Sequence, residues 1–278
     1  METEIPQTNP IPGNVSPAPP PGDYTNLIPV ETPQAKRGVW PFWSTIGFGA
    51  IIFTGWAIIQ TLVTMPFIIK EIINSNLSDF TNIAQNLIQD SFYVALVTMI
   101  SAPVGIGLII LFIKLRGNIT LKEYLGLRLF KKKHLLIFFG ILIVFFILNI
   151  YLEKLFPQLQ SADSTIGSYT GSGLILFGIA AVIFAPIFEE SFFRGFLFAG
   201  FYQSRIGAFG AIILTSIFFA VLHFQYGAAG ILIIFVLAVF LGVVRLVTKS
   251  LIATISFHAL WNLGAIVQII LYLNGVGN

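Results

Sequence analysis

The sequence predicts an all-α fold, a polytopic transmembrane helix bundle of seven or eight spans with a polar cavity inside the membrane. Of its 278 residues, 56% are hydrophobic and only 10% are charged, and the mean hydropathy is +0.89. Soluble domains carry about 25% charged residues, so this composition indicates a membrane protein. The apolar residues also fall into repeated runs of about 20, the length at which a helix crosses a bilayer.

The first 39 residues differ from the rest because they are polar and rich in proline. Such a segment has too few apolar side chains to form a packed core, so we expect a disordered tail over 1–39. It lacks the basic start and immediate apolar run of a secretory signal peptide. The membrane domain is predicted to occupy 40–278, and nothing in that range marks a second domain.

Seven apolar runs of spanning length follow the tail. They cover 41–69, 91–113, 135–152, 173–200, 206–226, 228–247 and 250–274. A break near Asn262 to Gly264 in the last run would give an eighth span. The mixed segment 75–90 has the composition of a short helix lying at the membrane interface.

The basic residues orient this bundle. Most of them fall on one side if the N-terminus is cytoplasmic: Lys36, Arg37, Lys114, Arg116, Lys122, Arg128, Lys131, Lys132, Lys133, Arg205, Arg245 and Lys249. The opposite side keeps only Lys70 and Lys154, as the positive-inside rule requires. The net charge of +3 is therefore a topology signal, and we expect a lipid bilayer and no nucleic acid as partner. Short loops favour a bacterial cell membrane.

Function is expected where ionisable side chains enter the apolar runs. Glu189 and Glu190 lie within the run 173–200, and Arg194 follows one helical turn later. A charged group at the centre of a spanning helix costs about 2.5–3.5 kcal/mol, so two glutamates there need a functional reason. Glu190 and Arg194 are spaced i, i+4 and can pair on one helix face, which gives them a supporting role. Glu189 has no such local partner.

Two of the three histidines lie in or at the edge of later runs. His223 closes the run ILTSIFFAVLHF, and His258 lies in LIATISFHALWN. His258 and Asn262 are spaced i, i+4, so a helix presents both side chains to the same volume. Alternatively, Asn262 caps a helix end. His134 ends a basic run at a membrane boundary and is predicted to be an interfacial residue.

Two schemes for hydrolysis by an activated water fit these groups. Glu189, His223 and His258 are the ligand types of an open zinc site, where the metal lowers the pKa of bound water to about 7. Without a metal, a desolvated glutamate takes a proton from water, a histidine donates to the leaving group and Asn262 holds the oxyanion. The sequence does not choose between them, so a divalent metal, zinc, is expected in the first scheme only.

Other protease types lack their residues. An aspartyl type needs two membrane aspartates, whereas the last aspartate is Asp163, in a loop. The zinc motif H-E-x-x-H is absent, and the lack of cysteine excludes a cysteine nucleophile and thiolate metal sites. A serine type would pair Ser172 with His258, but Ser172 lies in a glycine-rich loop and has no further support.

Three motifs carry a family resemblance. Glu189–Arg194 fits E-E-x-x-x-R, Phe219–His223 fits F-x-x-x-H, and His258–Asn262 fits H-x-x-x-N. In this order, on separate helices, they resemble the CPBP family of intramembrane proteases, which includes the CAAX prenyl endopeptidases and the bacteriocin-processing Abi proteins. The motif core covers 173–262.

This resemblance implies a helix bundle around a polar cavity, with Glu189 and His223 activating a water. It also implies that His258 and Asn262 complete the site and that Glu190 and Arg194 support it. The sequence therefore predicts an intramembrane endopeptidase acting on a membrane-associated peptide or protein.

The alternative is a non-catalytic membrane scaffold or bacteriocin-immunity protein of the same fold. A transporter would also place Glu, Arg and His in the membrane, but it is favoured by internal repeats with paired broken helices, which we do not find. For the protease, the family allows prenylated CAAX substrates, whereas a bacterial setting favours leader or signal-like peptides.

Overall fold

The computed structural model describes residues 38–74, 80–155 and 171–275. The regular elements of these ranges are helices, which confirms the predicted all-α polytopic bundle. The described residues all fall in one structural unit, Lys36–Asn278. Most of the predicted tail lies outside the described residues. Its last two residues, Gly38 and Val39, are buried, and Val39 O accepts a hydrogen bond from Arg116 Nε at 3.4 Å.

Nine helices follow one another along the described ranges. They are α1 (Phe42–Asn74), α2 (Phe80–Gln89), α3 (Ser91–Arg116), α4 (Leu121–Leu125), α5 (Lys132–Leu155), α6, α7 (Gly207–Val221), α8 (Gly227–Thr248) and α9 (Leu251–Leu273). Helix α6 consists of five consecutive segments: α-helical Gly171–Ile179, π-helical Ala180–Phe184, α-helical Ala185–Glu190, π-helical Ser191–Leu197 and α-helical Phe198–Tyr202. A short 3₁₀ turn, Phe224–Tyr226, connects α7 to α8.

Six helices of the described chain are long and apolar enough to cross a membrane, namely α1, α3, α5, α6, α8 and α9. Helix α7 is also apolar, but it has only 15 residues and is thus about 22 Å long. The predicted spanning run 206–226 therefore ends early, at Val221. The proposed break near Asn262 is wrong, because α9 continues without interruption from Leu251 to Leu273.

The predicted interfacial segment 75–90 contains α2, and residues 75–79 lie outside the described residues. Asp90 separates α2 from α3 and caps α3, because its Oδ1 accepts from Phe92 N at 2.9 Å and Tyr93 N at 3.2 Å. An aspartate at this position satisfies backbone donors that a helix start leaves free. The sequence signal for a short helix before the second span is thus correct.

Helix α6 packs against α1, α3, α7 and α9 and supplies much of the apolar core. Its close approach to α3 depends on Gly105, where a Cβ would overlap the ring of Phe188. In membrane proteins, small residues at helix contacts allow such close approach. Packing matters there because apolar lipid removes the hydrophobic driving force for helix association. From Glu190 to Phe198, every residue of α6 is buried.

The basic loop between α3 and α5 is anchored on the start of α9. Thr120 and Glu123 form a capping box on α4, and Gly126 ends that helix in a left-handed conformation, with φ of 68°. Gly126 O then accepts from Leu251 N at 3.0 Å, and Ser250 Oγ donates to Arg128 O. This loop is therefore tied to the helix that carries His258.

Candidate active site

Glu189 and Glu190 end the short α-helical segment that lies between the two π segments of α6. A π segment places one extra residue in a helical turn, and such segments are often found at functional sites. The extra residue moves the backbone hydrogen bonds from the fourth to the fifth preceding carbonyl. One carbonyl in each turn is then free to accept a bond from elsewhere.

In the first π segment that carbonyl belongs to Ala181. Ala185 N–H donates to Ala180 O, five residues back, whereas an ordinary α-helix would use Ala181 O. Asn262 of α9 donates its Nδ2–H to Ala181 O at 2.7 Å. The alternative that Asn262 caps a helix end is wrong, because it lies in the middle of α9.

The second π segment repeats this arrangement. Phe198 N–H donates to Gly195 O and Phe193 O, three and five residues back, where an ordinary helix would use Arg194 O. Arg194 O instead accepts from Arg245 Nε of α8 at 2.9 Å. The segment that carries both glutamates is thus held at its two ends by polar side chains from α9 and α8.

Glu190 has no exposed surface, and its carboxylate contacts one arginine and one histidine. Its Oε1 accepts from Arg194 Nη1 at 3.0 Å, as the i, i+4 spacing predicts, and lies 3.0 Å from His258 Nδ1. Arg194 is equally buried, donates from Nη2 to Ala238 O at 2.8 Å, and lies 4.8 Å from the ring centre of Phe219. The ion pair of Glu190 and Arg194 therefore forms the buried side of the site.

His258 connects the two glutamates. Because the carboxylate paired with Arg194 accepts hydrogen bonds, Nδ1 of His258 donates to Glu190, and Nε2 is directed towards Glu189. The distance from Nε2 to Glu189 Oε2 is 3.7 Å, too long for a direct hydrogen bond but suitable for two groups that contact one common oxygen. The Glu189 side chain is 24% exposed, against 4% for His258.

His223 lies in the turn after α7 and is held by backbone and ring contacts. Its Nδ1 donates to Phe219 O at 2.7 Å, which leaves Nε2 as an acceptor in the neutral ring. The Phe219 ring lies 4.6 Å from the His223 ring and 5.7 Å from the His258 ring, between centroids. The three sequence motifs therefore meet around Phe219.

The predicted zinc ligands can be tested against this geometry. Both imidazoles bond through Nδ1 to an oxygen, as metal-binding histidines usually do. However, within the described ranges no three His, Asp or Glu side chains lie close enough together to hold a metal ion. No step below therefore passes through a metal, and zinc stays a prediction.

Sequence reasoning did not identify two buried residues near the site. Arg245 was interpreted as a cytoplasmic flanking residue, yet it lies in the last turn of α8 and is only 9% exposed. Thr254 is fully buried one turn before His258 and donates to Leu251 O at 2.9 Å. The i, i+4 spacing of Thr254 and His258 could have identified Thr254 from the sequence. The position of Arg245 near a helix end does not distinguish it from other basic residues that flank a helix.

Ser172, predicted in a loop, lies in the first turn of α6.

The fold and site together define a class, that of polytopic membrane proteins with glutamate and histidine side chains clustered inside the helix bundle. Residues 171–264, about a third of the chain, match the family model described as type II CAAX prenyl endopeptidase Rce1-like. This match contains every predicted site residue, so the motif core is similar to the type II CAAX prenyl endopeptidase family, in agreement with the resemblance that the motifs indicated. No curated protein and no solved structure matches the chain.

Proposed function

We propose that this protein is an intramembrane endopeptidase that hydrolyses a peptide bond of a membrane-associated protein or peptide. The observation that carries the proposal is the position of His258, which bonds to buried Glu190 through one nitrogen and faces Glu189 with the other. A base, an oriented imidazole and a buried carboxylate that orients it are the parts of a hydrolytic site. The family match supports protease activity independently.

Glu189 is the general base in this scheme. It is the more exposed of the two glutamates, so a water can reach its carboxylate. Glu189 takes a proton from the water while the water oxygen attacks the carbonyl carbon, and His223 Nε2 accepts the second hydrogen bond of that water. Glu189 then delivers the proton to the leaving nitrogen as the carbon–nitrogen bond breaks, so no proton is gained or lost.

His258 stabilises the negative charge that forms on the carbonyl oxygen. Its Nε2 is directed towards Glu189, so a hydrogen on that nitrogen would donate to the oxyanion that develops in front of Glu189. Because Asn262 already donates to Ala181 O, we assign it to positioning α6 and not to holding the oxyanion.

Two substrate classes follow from the family and from the membrane setting. One is a prenylated cysteine peptide of the CAAX type, and the other is an apolar leader-like peptide. The assay therefore uses two internally quenched peptides, one S-farnesylated with three residues after the cysteine and one unmodified apolar peptide, with the purified protein in lipid vesicles.

The test compares Glu189→Gln with Glu71→Gln, which makes the same change on α1 outside the site. We expect Glu189→Gln to lower kcat by about 10²–10⁴, the usual contribution of a general base, and Glu71→Gln to stay within about twofold of wild type. An unchanged rate in Glu189→Gln would remove the proposed mechanism. Cleavage of neither peptide by the wild type would favour the non-catalytic scaffold.

The same assay with a chelator tests the zinc prediction. A rate that survives chelation, together with purified protein free of bound metal, is expected for the metal-free scheme. A rate that falls and returns on addition of Zn²⁺ would favour the metal scheme.

A further inference from the structure

Arg245 is a buried cation that the proposed reaction does not use. The polar partners that the structure gives its guanidinium are backbone carbonyls: Nε donates to Arg194 O at 2.9 Å and Nη2 to Leu125 O at 3.2 Å. The guanidinium carbon also lies 5.7 Å from the ring centre of Phe198. Burying an arginine is costly, so this position needs a physical reason.

The reason lies in the carbonyl that Arg245 binds. Arg194 O is the acceptor that an α-helix would offer to Phe198 N–H, and in the π turn that N–H instead bonds to Gly195 O and Phe193 O. While Arg245 donates to Arg194 O, this carbonyl is not available to Phe198 N–H. The second π turn therefore keeps its extra residue. Return to an α-helix would change the rotation of the helix across this turn by about 100°, the angle of one residue. Glu190 and Arg194 would then no longer lie on the same face of the helix.

Helix α4 supports the same turn from the side of the basic loop. Gly126 leaves room for the guanidinium, because a Cβ there would lie 2.6 Å from Arg245 Nη2. Tyr124 stacks on Phe196 of the π segment with centroids 5.7 Å apart, and burial raises the pKa of its phenol, so it stays neutral. Leu125 packs on Gly195, where a Cβ would lie 2.7 Å from its Cδ2.

We infer that Arg245 is a positioning residue for the reaction, because it fixes the second π turn of α6 and with it the direction of the two glutamates towards His258. This inference rests on the proposed protease function. It assigns Arg245 to the second π turn as Asn262 is assigned to the first. The two side chains reach the helix from different partners, α8 and α9.

The experiment compares Arg245→Met, which removes the donors and keeps an apolar stem, with Arg245→Lys, which keeps a charge and a donor. Arg205→Met, at an exposed position, is the matched control. Hydrogen exchange of the purified protein, followed by mass spectrometry, reports on α6 without any substrate. Cleavage of the S-farnesylated peptide gives kcat and KM.

For Arg245→Met we expect faster exchange in peptides over 191–202, a kcat at least tenfold lower and a KM within about twofold. Arg245→Lys should recover part of kcat, and Arg205→Met should match wild type. If Arg245→Met does not fold, Arg245→Gln takes its place as the variant without the guanidinium, and the same local changes are expected.

Wild-type exchange and kcat in Arg245→Met would overturn the inference, even if Glu189→Gln is inactive and the protease function stands. Faster exchange spread over all helices would also overturn it, because Arg245 would then only stabilise the fold. If the wild type cleaves no peptide, the proposed function fails separately, and exchange over 191–202 still decides whether Arg245 holds the π turn.

Discussion

At the scale of single residues, Glu190 binds two partners at once through one oxygen. It neutralises Arg194 on its own helix and orients His258 on another, and both bonds are 3.0 Å long. None of the three side chains is more than 4% exposed, so water cannot replace a missing partner. Stability and catalysis therefore both depend on this carboxylate.

We expect Glu190→Gln to be strongly destabilising, because it leaves the buried Arg194 charge without a counter-ion. Removing one partner of a buried ion pair costs about 3–5 kcal/mol. Thermal unfolding in detergent should show a clearly lower Tm than wild type.

The double variant Glu190→Gln, Arg194→Met removes both charges and should recover much of that Tm. Its cleavage rate should stay low, because His258 has lost its anionic partner. A wild-type Tm in the single variant would contradict the assignment of Glu190 as counter-ion.

At the scale of elements, the sequence predicts the positions of the helices well and their internal geometry poorly. The run 173–200 corresponds to α6 because apolar side chains are obligatory in a bilayer. The π segments cannot be predicted from this uniformly apolar run, because no periodic pattern in the sequence changes at the turns that gain a residue. Arg245 and the contact between Glu190 and His258 were missed for a related reason, because they join residues from different helices.

The packing of α3 on α6 gives a test with a matched pair of glycines. A Cβ at Gly105 would overlap Phe188, the residue before Glu189, whereas a Cβ at Gly107 meets nothing within 4 Å. Gly105→Ala should lower stability by about 1–3 kcal/mol through overpacking and displace the glutamate segment, with loss of cleavage.

Gly107→Ala, in the same helix, should be neutral or stabilise by up to about 1 kcal/mol, because alanine favours a helix. The two unfolding temperatures are compared in the same detergent. Equal behaviour of the two variants would show that Gly105 is not needed for close packing.

At the scale of the whole molecule, the distribution of basic residues predicts how the bundle sits in the membrane. Lys132 begins α5 and Lys249 follows α8, and both are expected on the cytoplasmic side with the N-terminus. Ser172, in the first turn of α6, is expected on the opposite side. The six long helices of the described chain and α7 allow this alternation.

The chain contains no cysteine, so single cysteines can be introduced without removing any. In intact cells, a membrane-impermeant maleimide should label Ser172→Cys and should not label Lys132→Cys or Lys249→Cys. After the membrane is opened, all three should react. Labelling of Lys249→Cys in intact cells would reverse the predicted orientation.

The shortness of α7 has a consequence for the surrounding lipid. Several of its side chains are exposed, among them Phe209 at 78% and Val221 at 56%, and its length of about 22 Å falls short of a hydrocarbon layer of about 30 Å. In a bilayer we expect thinning beside this helix, one of the ways in which such a mismatch is relieved. That region would lie next to the turn that carries His223. Water for the proposed hydrolysis would then reach the site through the thinned bilayer itself.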